Sequence, residues 1–226
     1  MRGFALHSFN STITHFKESG GKNLVEDTGE RVIPEYMKPS NGMLLEHMAR
    51  YQFALPYVTG RVLDLSCGSG YGTHMVAKKR KNEVEGVVGV DIDEEIIQYA
   101  KAYYYHPKSS FLVENAVSPN LTDKIGTFDT ILSFETYEHI EDEQQLLDNY
   151  YNLLKPGGTL VVSTPFGEGR GVECGSPFHI HQITPEEFRG LFESYKTAEF
   201  YYQKGVLVEP PREGQHYPLG IAVCTK

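Results

Sequence analysis

The stretch "VLDLSCGSGYG", Val62 to Gly72, decides the fold. An apolar run broken only by Asp64 ends in Gly68, Gly70 and Gly72, and a helix-forming segment, "GTHMVAKKRK", follows. Strand, glycine turn and helix in that order let the backbone turn sharply and approach a ligand at a helix N-terminus with no Cβ in the way. A second short run, "GVVGVDID" (Gly86 to Asp93), puts Asp91 where an acid can accept hydrogen bonds from two ribose hydroxyls. The acid at position 64 inside the strand, and a GxGxG rather than GxGxxG spacing, argue against a dinucleotide site.

Working outward, short β-branched runs alternate with longer helical patterns, the signal for βαβ units and a mostly parallel sheet in an α/β fold. Strands are predicted at Arg61 to Gly68, Gly86 to Asp93, Ser109 to Asn115, Phe128 to Phe134 and Gly158 to Pro165. "DEEIIQYAKAYYYH" aligns Ile96, Ile97, Ala100 and Tyr104 on one helical stripe, with acids in the first turn. "DEQQLLDNYYNLL" does the same with Leu146, Leu147, Tyr150, Leu153 and Leu154, and stops at Pro156 and Gly157. From Phe166 to Gln182 a Gly-rich loop lacks periodicity, and a loop of that length is more often functional than structural. "TPEEFRGLFESY" then reads as a helix with a capping box at Thr184 and Glu187. "AEFYYQ" and "GIAVCTK" read as an antiparallel strand pair finishing the sheet, and "LLEHMARYQFALPYV" (Leu44 to Val58) as a helix before the first strand. Residues 1–45 read as an extension or lid, and 46–226 as the domain proper.

Composition narrows the function. With 226 residues and 40% hydrophobic content the chain buries a full core. A net charge of −9 argues against a nucleic-acid partner, whose phosphates demand Lys and Arg; "KKRK" at Lys78 to Lys81 reads as a solvated helix end. Cys67, Cys174 and Cys224 have no CxxC spacing, which fits a reducing compartment. No apolar stretch is long enough to span a bilayer, and the first residues lack a continuous apolar signal, so a cytoplasmic protein is expected. Oligomeric state is not encoded in these features.

Taken together, "VLDLSCGSGYG", "VVGVDID", "FLVENA", "FDTILSFETYEHI" and "LLKPGGTLVVSTP" resemble, in order and spacing, the class I S-adenosylmethionine-dependent methyltransferases. The resemblance implies a Rossmann-like, seven-stranded, mostly parallel sheet with helices on both faces and an antiparallel C-terminal strand pair. It also implies that S-adenosylmethionine is the cofactor. Gly68 and Gly70 would pass along its methionine and ribose, with Asp64 fixing the loop from below. Asp91 would bind the ribose hydroxyls, Ile92 would lie on the adenine, Asn115 and Ala116 would meet the adenine edge, and Phe134 would line the methionine end. Arg31, Arg50 and Tyr51 are candidates to clamp the cofactor carboxylate or the acceptor.

"FETYEH", Phe134 to His139, places two carboxylates and an imidazole at the end of the fourth predicted strand. Methyl transfer to a hydroxyl needs positioning and proton removal, so His139 is a candidate general base with Glu138 or Glu135 orienting it. Two carboxylates and imidazoles also suit Mg2+, Mn2+ or Zn2+. His179 and His181, two apart in an extended segment, alternate in direction, so one of them points inward. The E-x-x-E-H pattern resembles small-RNA 3′-terminal 2′-O-methyltransferases, which implies Glu135, Glu138, His139 and His179 as a metal set. It also resembles the ubiquinone-pathway O-methyltransferases. A bland reading has Glu138 and His139 capping the next helix. The function expected is methyl transfer to a hydroxyl of a small-molecule acceptor such as a sugar, lipid or natural product. The alternatives are a metal-dependent RNA 2′-O-methyltransferase and a non-catalytic S-adenosylmethionine-binding regulator.

Overall fold

The computed structural model describes residues 31–226. Helix α1 (Gly42–Ala54) leads through a 3-10 turn into β1 (Gly60–Leu65), and α2 (Tyr71–Lys79), β2 (Val84–Asp91), α3 (Glu94–Tyr103) and β3 (Ser109–Val113) follow. Next come α4 (Leu121–Ile125), β4 (Phe128–Phe134), a 3-10 turn (Tyr137–His139), α5 (Glu143–Leu153) and β5 (Leu154–Pro165). After the long loop, α6 (Pro185–Gly190), β6 (Thr197–Lys204), β7 (Leu207–Glu209) and β8 (Leu219–Thr225) complete the chain.

One sheet holds all the strands in the order β3-β2-β1-β4-β5-β8-β6-β7. The first five are mutually parallel, whereas β8 is antiparallel to β5 and β6 is antiparallel to β8. The sheet therefore has eight strands where seven were expected. The addition is β7, which folds back on β6 across Gly205 and Val206, with Lys204 facing Leu207 and Gly205 at φ +58°. A three-residue strand carries too little alternation to read in advance.

The parallel strands are apolar on both faces, as a sheet covered twice must be. Val62, Val87, Leu132 and Val161 pack with Tyr51 and Ala54 of α1 and Val76 and Ala77 of α2. On the other face Leu63, Val90, Ile131 and Leu160 pack with Leu146 and Tyr150 of α5 and with Phe188 of α6. Thr184 caps α6 in the expected capping box, but that helix ends at Gly190, short of the predicted Tyr195. Helix α4 was not read at all: it offers only a single turn of apolar spacing.

Residues 1–30 of the expected N-terminal extension lie outside the described residues. Residues 31–45 belong to the same compact unit as the rest, and α1 runs through position 46. Among the described residues no helix is long and apolar enough to cross a membrane. The strand order reverses between β1 and β4, and in an open α/β sheet the crevice outside the carboxyl ends at that point is where ligands bind.

Candidate functional site

At the carboxyl end of β1 the chain turns sharply into α2. Ser66, Gly68 and Gly70 have φ of +63°, +53° and +85°. A Cβ on Gly70 would lie 2.6 Å from Ala100 and 2.7 Å from Phe111, so that glycine lets the loop seat against α3 and β3. At Gly68 a Cβ would meet nothing within 4 Å, so its backbone borders open space. Beneath the loop, buried Asp64 accepts from the Tyr51 hydroxyl at 3.0 and 3.1 Å and from Thr73 Oγ1 at 2.6 Å. Burial pushes its carboxyl up to about 6, against the pull of those two donors. The Tyr51 ring reaches Asp64 only because Gly72 has no side chain; a Cβ there would fall inside the ring.

Asp91, at the end of β2, accepts from the Gly68 amide at 2.9 Å and from the Asp93 amide at 3.1 Å. Desolvation raises its carboxyl above the ordinary range. Ile92 beside it is 66% exposed, an apolar side chain left facing outward at the rim. An open glycine backbone, a carboxylate tied to that loop and an exposed apolar platform fit a nucleoside. Asn115 spends its side-chain oxygen on its own turn, accepting from the Val117 amide at 3.0 Å, and buried Ala116 gives its carbonyl to Asn149 Nδ2 at 2.7 Å. Phe134 is buried edge-on under Tyr51, with 4.9 Å between ring centroids. Of the three candidate clamps, Arg31 pairs with Asp93 at 2.8 Å and Tyr51 is engaged with Asp64. Arg50 is buried and bonds Gln203 Oε1 at 2.9 Å.

The carboxyl end of β4 brings together three of the four residues of the expected metal set. Ligand atoms of Glu138, His139 and His179 lie within 4.8 Å of one another. Glu135 turns elsewhere: at φ +51°, it accepts from the Ser163 hydroxyl at 3.1 Å and faces Arg50 at 3.8 Å. Glu138 is 1% exposed; Oε2 accepts from Thr164 at 3.1 Å, while Oε1 is buried with no hydrogen bond. Burial, then the neighbouring Glu135 charge, holds the Glu138 carboxyl well above the usual carboxylate range. His139 Nδ1 donates to the Phe178 carbonyl at 3.0 Å, which directs Nε2 toward Glu138 Oε1 at 4.0 Å. The alternation read in the loop holds: His179 joins this group, whereas His181 turns its Nε2 to the Tyr137 carbonyl at 3.1 Å. Capping of α5 falls to Asp142, which accepts from the Gln145 amide at 3.1 Å.

The loop that carries His179 is anchored in two places. The Ile180 amide donates to the Glu138 carbonyl at 2.8 Å, and Arg170 donates to Tyr137 Oη at 2.8 Å, Glu143 at 3.0 Å and Glu187 at 3.4 Å. Sequence reasoning missed Arg170, Ser163 and Thr164. The last two sit in "VVSTP", read only as part of the strand Gly158 to Pro165; two hydroxyls closing an apolar strand were the available signal.

A family model described as a methyltransferase domain matches residues 58–206. A probable S-adenosylmethionine-dependent methyltransferase of Mycolicibacterium smegmatis is 31% identical over 74% of this chain and 63% of its own. A ubiquinone biosynthesis O-methyltransferase of Xylella fastidiosa is 32% identical over 49% of this chain and 44% of its own. The chain thus spans less than two thirds of the length of these relatives. Among solved structures, the PH0226 protein of Pyrococcus horikoshii superposes with a TM-score of 0.63 at 20% identity, covering 89% of this chain and 99% of that one. With a domain model covering the glycine loop and both strand ends of the site, the chain belongs to the class I S-adenosylmethionine-dependent methyltransferases.

Proposed function

We propose that the chain transfers a methyl group from S-adenosylmethionine to a hydroxyl of a small-molecule acceptor, with His139 as general base. The observation that carries this reading is the imidazole at the carboxyl end of β4. Its Nδ1 proton is fixed on the Phe178 carbonyl, so Nε2 offers its lone pair toward the crevice wall formed by Glu138. Bound S-adenosylmethionine supplies an electrophilic methyl on a sulfonium. Gly68, Asp91 and Ile92 hold and orient the nucleoside, and Asp64 stiffens the loop through Tyr51 and Thr73. His139 Nε2 would take the proton of the acceptor hydroxyl as that oxygen is methylated. The Phe178 carbonyl, accepting from Nδ1, sets the orientation of the imidazole, and Glu138, held by Thr164, lies 4.0 Å from Nε2. The Xylella fastidiosa relative, named as an O-methyltransferase, supports a hydroxyl acceptor.

The test is transfer of labelled methyl into hydroxyl and amine acceptors by wild type and His139→Asn, with S-adenosylhomocysteine affinity measured in parallel. The rate should fall about 10²- to 10⁴-fold while affinity holds. Transfer confined to amines, or a label arriving only at RNA 3′ ends, would overturn the assignment.

A second reading adds a divalent cation, Mg2+, Mn2+ or Zn2+, to the same residues. It is favoured by Glu138 Oε1, a buried oxygen without a hydrogen bond that faces two imidazoles. A cation held by Glu138, His139 and His179 would lower the pKa of an acceptor hydroxyl. Gln182 Nε2 lies 2.8 Å from His179 Nδ1, and turning that amide over, so that its oxygen accepts from Nδ1–H, would leave His179 Nε2 as the ligand atom. Elemental analysis of wild type and Glu138→Gln decides between the readings: metal present in the first and lost in the second supports ligation.

A further inference from the structure

A cleft of about 570 Å³ lies between α5 and the chain that follows α6. None of its lining residues belongs to the glycine loop or to the group formed by Glu138, His139 and His179. Helical spacing sets its first wall. Glu143, Leu147, Asp148 and Tyr151 recur on one stripe of α5, left facing outward because Leu146, Tyr150 and Leu153 are drawn into the core. The second wall exists because α6 stops at Gly190 instead of running on to Tyr195. Phe192 is buried in the core, and Leu191, Glu193 and Tyr195 are left along the cleft. Arg170 also lines it, but that cation is matched by Glu143 at 3.0 Å and Glu187 at 3.4 Å. Asp148 and Glu193 have no such match. Asp148 accepts from the Gln144 amide at 2.9 Å, and among the described residues no Lys or Arg pairs with either carboxylate. Beside them stand Leu147, Leu191 and the edge-on rings of Tyr151 and Tyr195, 5.5 Å apart at their centroids. Tyr151 already attracts one cation: Lys226 Nζ lies 4.3 Å from its ring centroid. That ammonium donates to the Tyr151 and Leu154 carbonyls at 2.7 and 2.9 Å, so it is not spent on the two carboxylates.

We propose that this cleft is a second binding site, for a small organic cation that carries an ammonium on a short apolar stem. Asp148 and Glu193, on opposite walls, meet the ammonium, while Leu147, Leu191 and Tyr195 meet the stem. The volume is that of a small-molecule site, and the walls combine apolar surface with a few charged groups as such sites do. Selectivity follows from the two unmatched carboxylates: an anion of the same shape is repelled, and a neutral analogue forgoes the attraction. The site uses neither His139 nor the glycine loop, so the inference stands apart from the methyl transfer proposed above.

Chemical-shift titration of the full chain tests it with three probes of one shape: hexylammonium, 1-hexanol and hexanoate. Hexylammonium should bind about tenfold more tightly than hexanol, with hexanoate the weakest. The amides it perturbs should cluster within residues 143–152 and 190–195, and its advantage should shrink in about 0.5 M salt. Asp148→Asn combined with Glu193→Gln alters two exposed side chains and should bring hexylammonium to within about twofold of hexanol. Tyr151→Leu should weaken hexylammonium about threefold. The comparison of the three probes on wild type holds even if a variant fails to fold. Equal affinity for all three would reduce the cleft to an apolar crevice and overturn the proposal. A preference for hexanoate would overturn it too, by giving recognition to Arg170. So would shifts confined to other residues, an affinity for hexylammonium unchanged in the double variant, or no perturbation in the millimolar range.

Discussion

Tyr51→Phe removes one hydroxyl from beneath the glycine loop and should destabilise the protein in a pH-dependent way. Burial raises Asp64 from an ordinary 3.8 to about 6, which at 1.36 kcal/mol per tenfold change in proton affinity makes the ionised carboxyl cost about 3 kcal/mol at neutral pH. The sign follows from the folded value lying above the unfolded one. Asp64 contributes most below 3.8, and that contribution is lost as pH rises toward 6. Tyr51 limits the loss, because it donates to both oxygens of the charged form. Without it Thr73 is the remaining side-chain donor, and the folded carboxyl rises further. A hydrogen bond to a charged acceptor contributes about 1.5–3 kcal/mol and one to a neutral group about 1 kcal/mol. The Phe ring keeps the edge contacts to Phe134 at 4.9 Å and Tyr71 at 5.5 Å, so packing changes little. Urea unfolding followed by circular dichroism should therefore give a loss of about 2–3 kcal/mol at pH 8 and about 1 kcal/mol at pH 5. Equal losses at the two pH values, or a larger one at pH 5, would refute the coupling of Tyr51 to the Asp64 charge.

Gly72→Ala places a methyl inside the Tyr51 ring, so α1 must shift; a loss of about 1–3 kcal/mol in the same unfolding assay is expected. Asp91→Asn exchanges an acceptor tied to the Gly68 amide for a group with one acceptor oxygen, and S-adenosylhomocysteine should bind about tenfold more weakly by calorimetry. Arg170→Met cuts the links from the long loop to Tyr137, Glu143 and Glu187, so limited proteolysis should cleave within residues 166–183 several-fold faster while the melting midpoint holds nearly constant. Unchanged cleavage would mean that the Ile180 amide on the Glu138 carbonyl is anchor enough.

The parallel half of the sheet was legible because its strands are short apolar runs stopped by Gly, Asp or Pro, a pattern that depends on neighbours in the chain alone. Strand β4 ran from Phe128 to Phe134 as predicted. Asp64, Gly68, Asp91 and the pairing of Glu138 with His139 were equally local. What escaped reading depends on contacts between distant positions. Tyr51 lies over Gly72, Glu135 turns to Arg50 and Ser163, and Arg170 reaches Glu143. No periodicity records such choices. The expected membership of Glu135 in a metal set came from the resemblance of E-x-x-E-H to small-RNA 2′-O-methyltransferases, whereas its left-handed backbone carries the side chain toward Arg50 of α1.

Ser66 and Glu135 are the two non-glycine residues with positive φ among the described residues, and they stand at the ends of adjacent central strands. Such conformations cost on the order of 1–3 kcal/mol each, which glycine would not incur. For anyone engineering this chain, the consequence is a trap. A screen that selects on heat resistance alone will favour glycine at both positions, and at 135 it will delete the carboxylate that faces Arg50. Hardening the fold and keeping its chemistry pull against each other at Glu135, so a useful screen has to score ligand binding alongside survival.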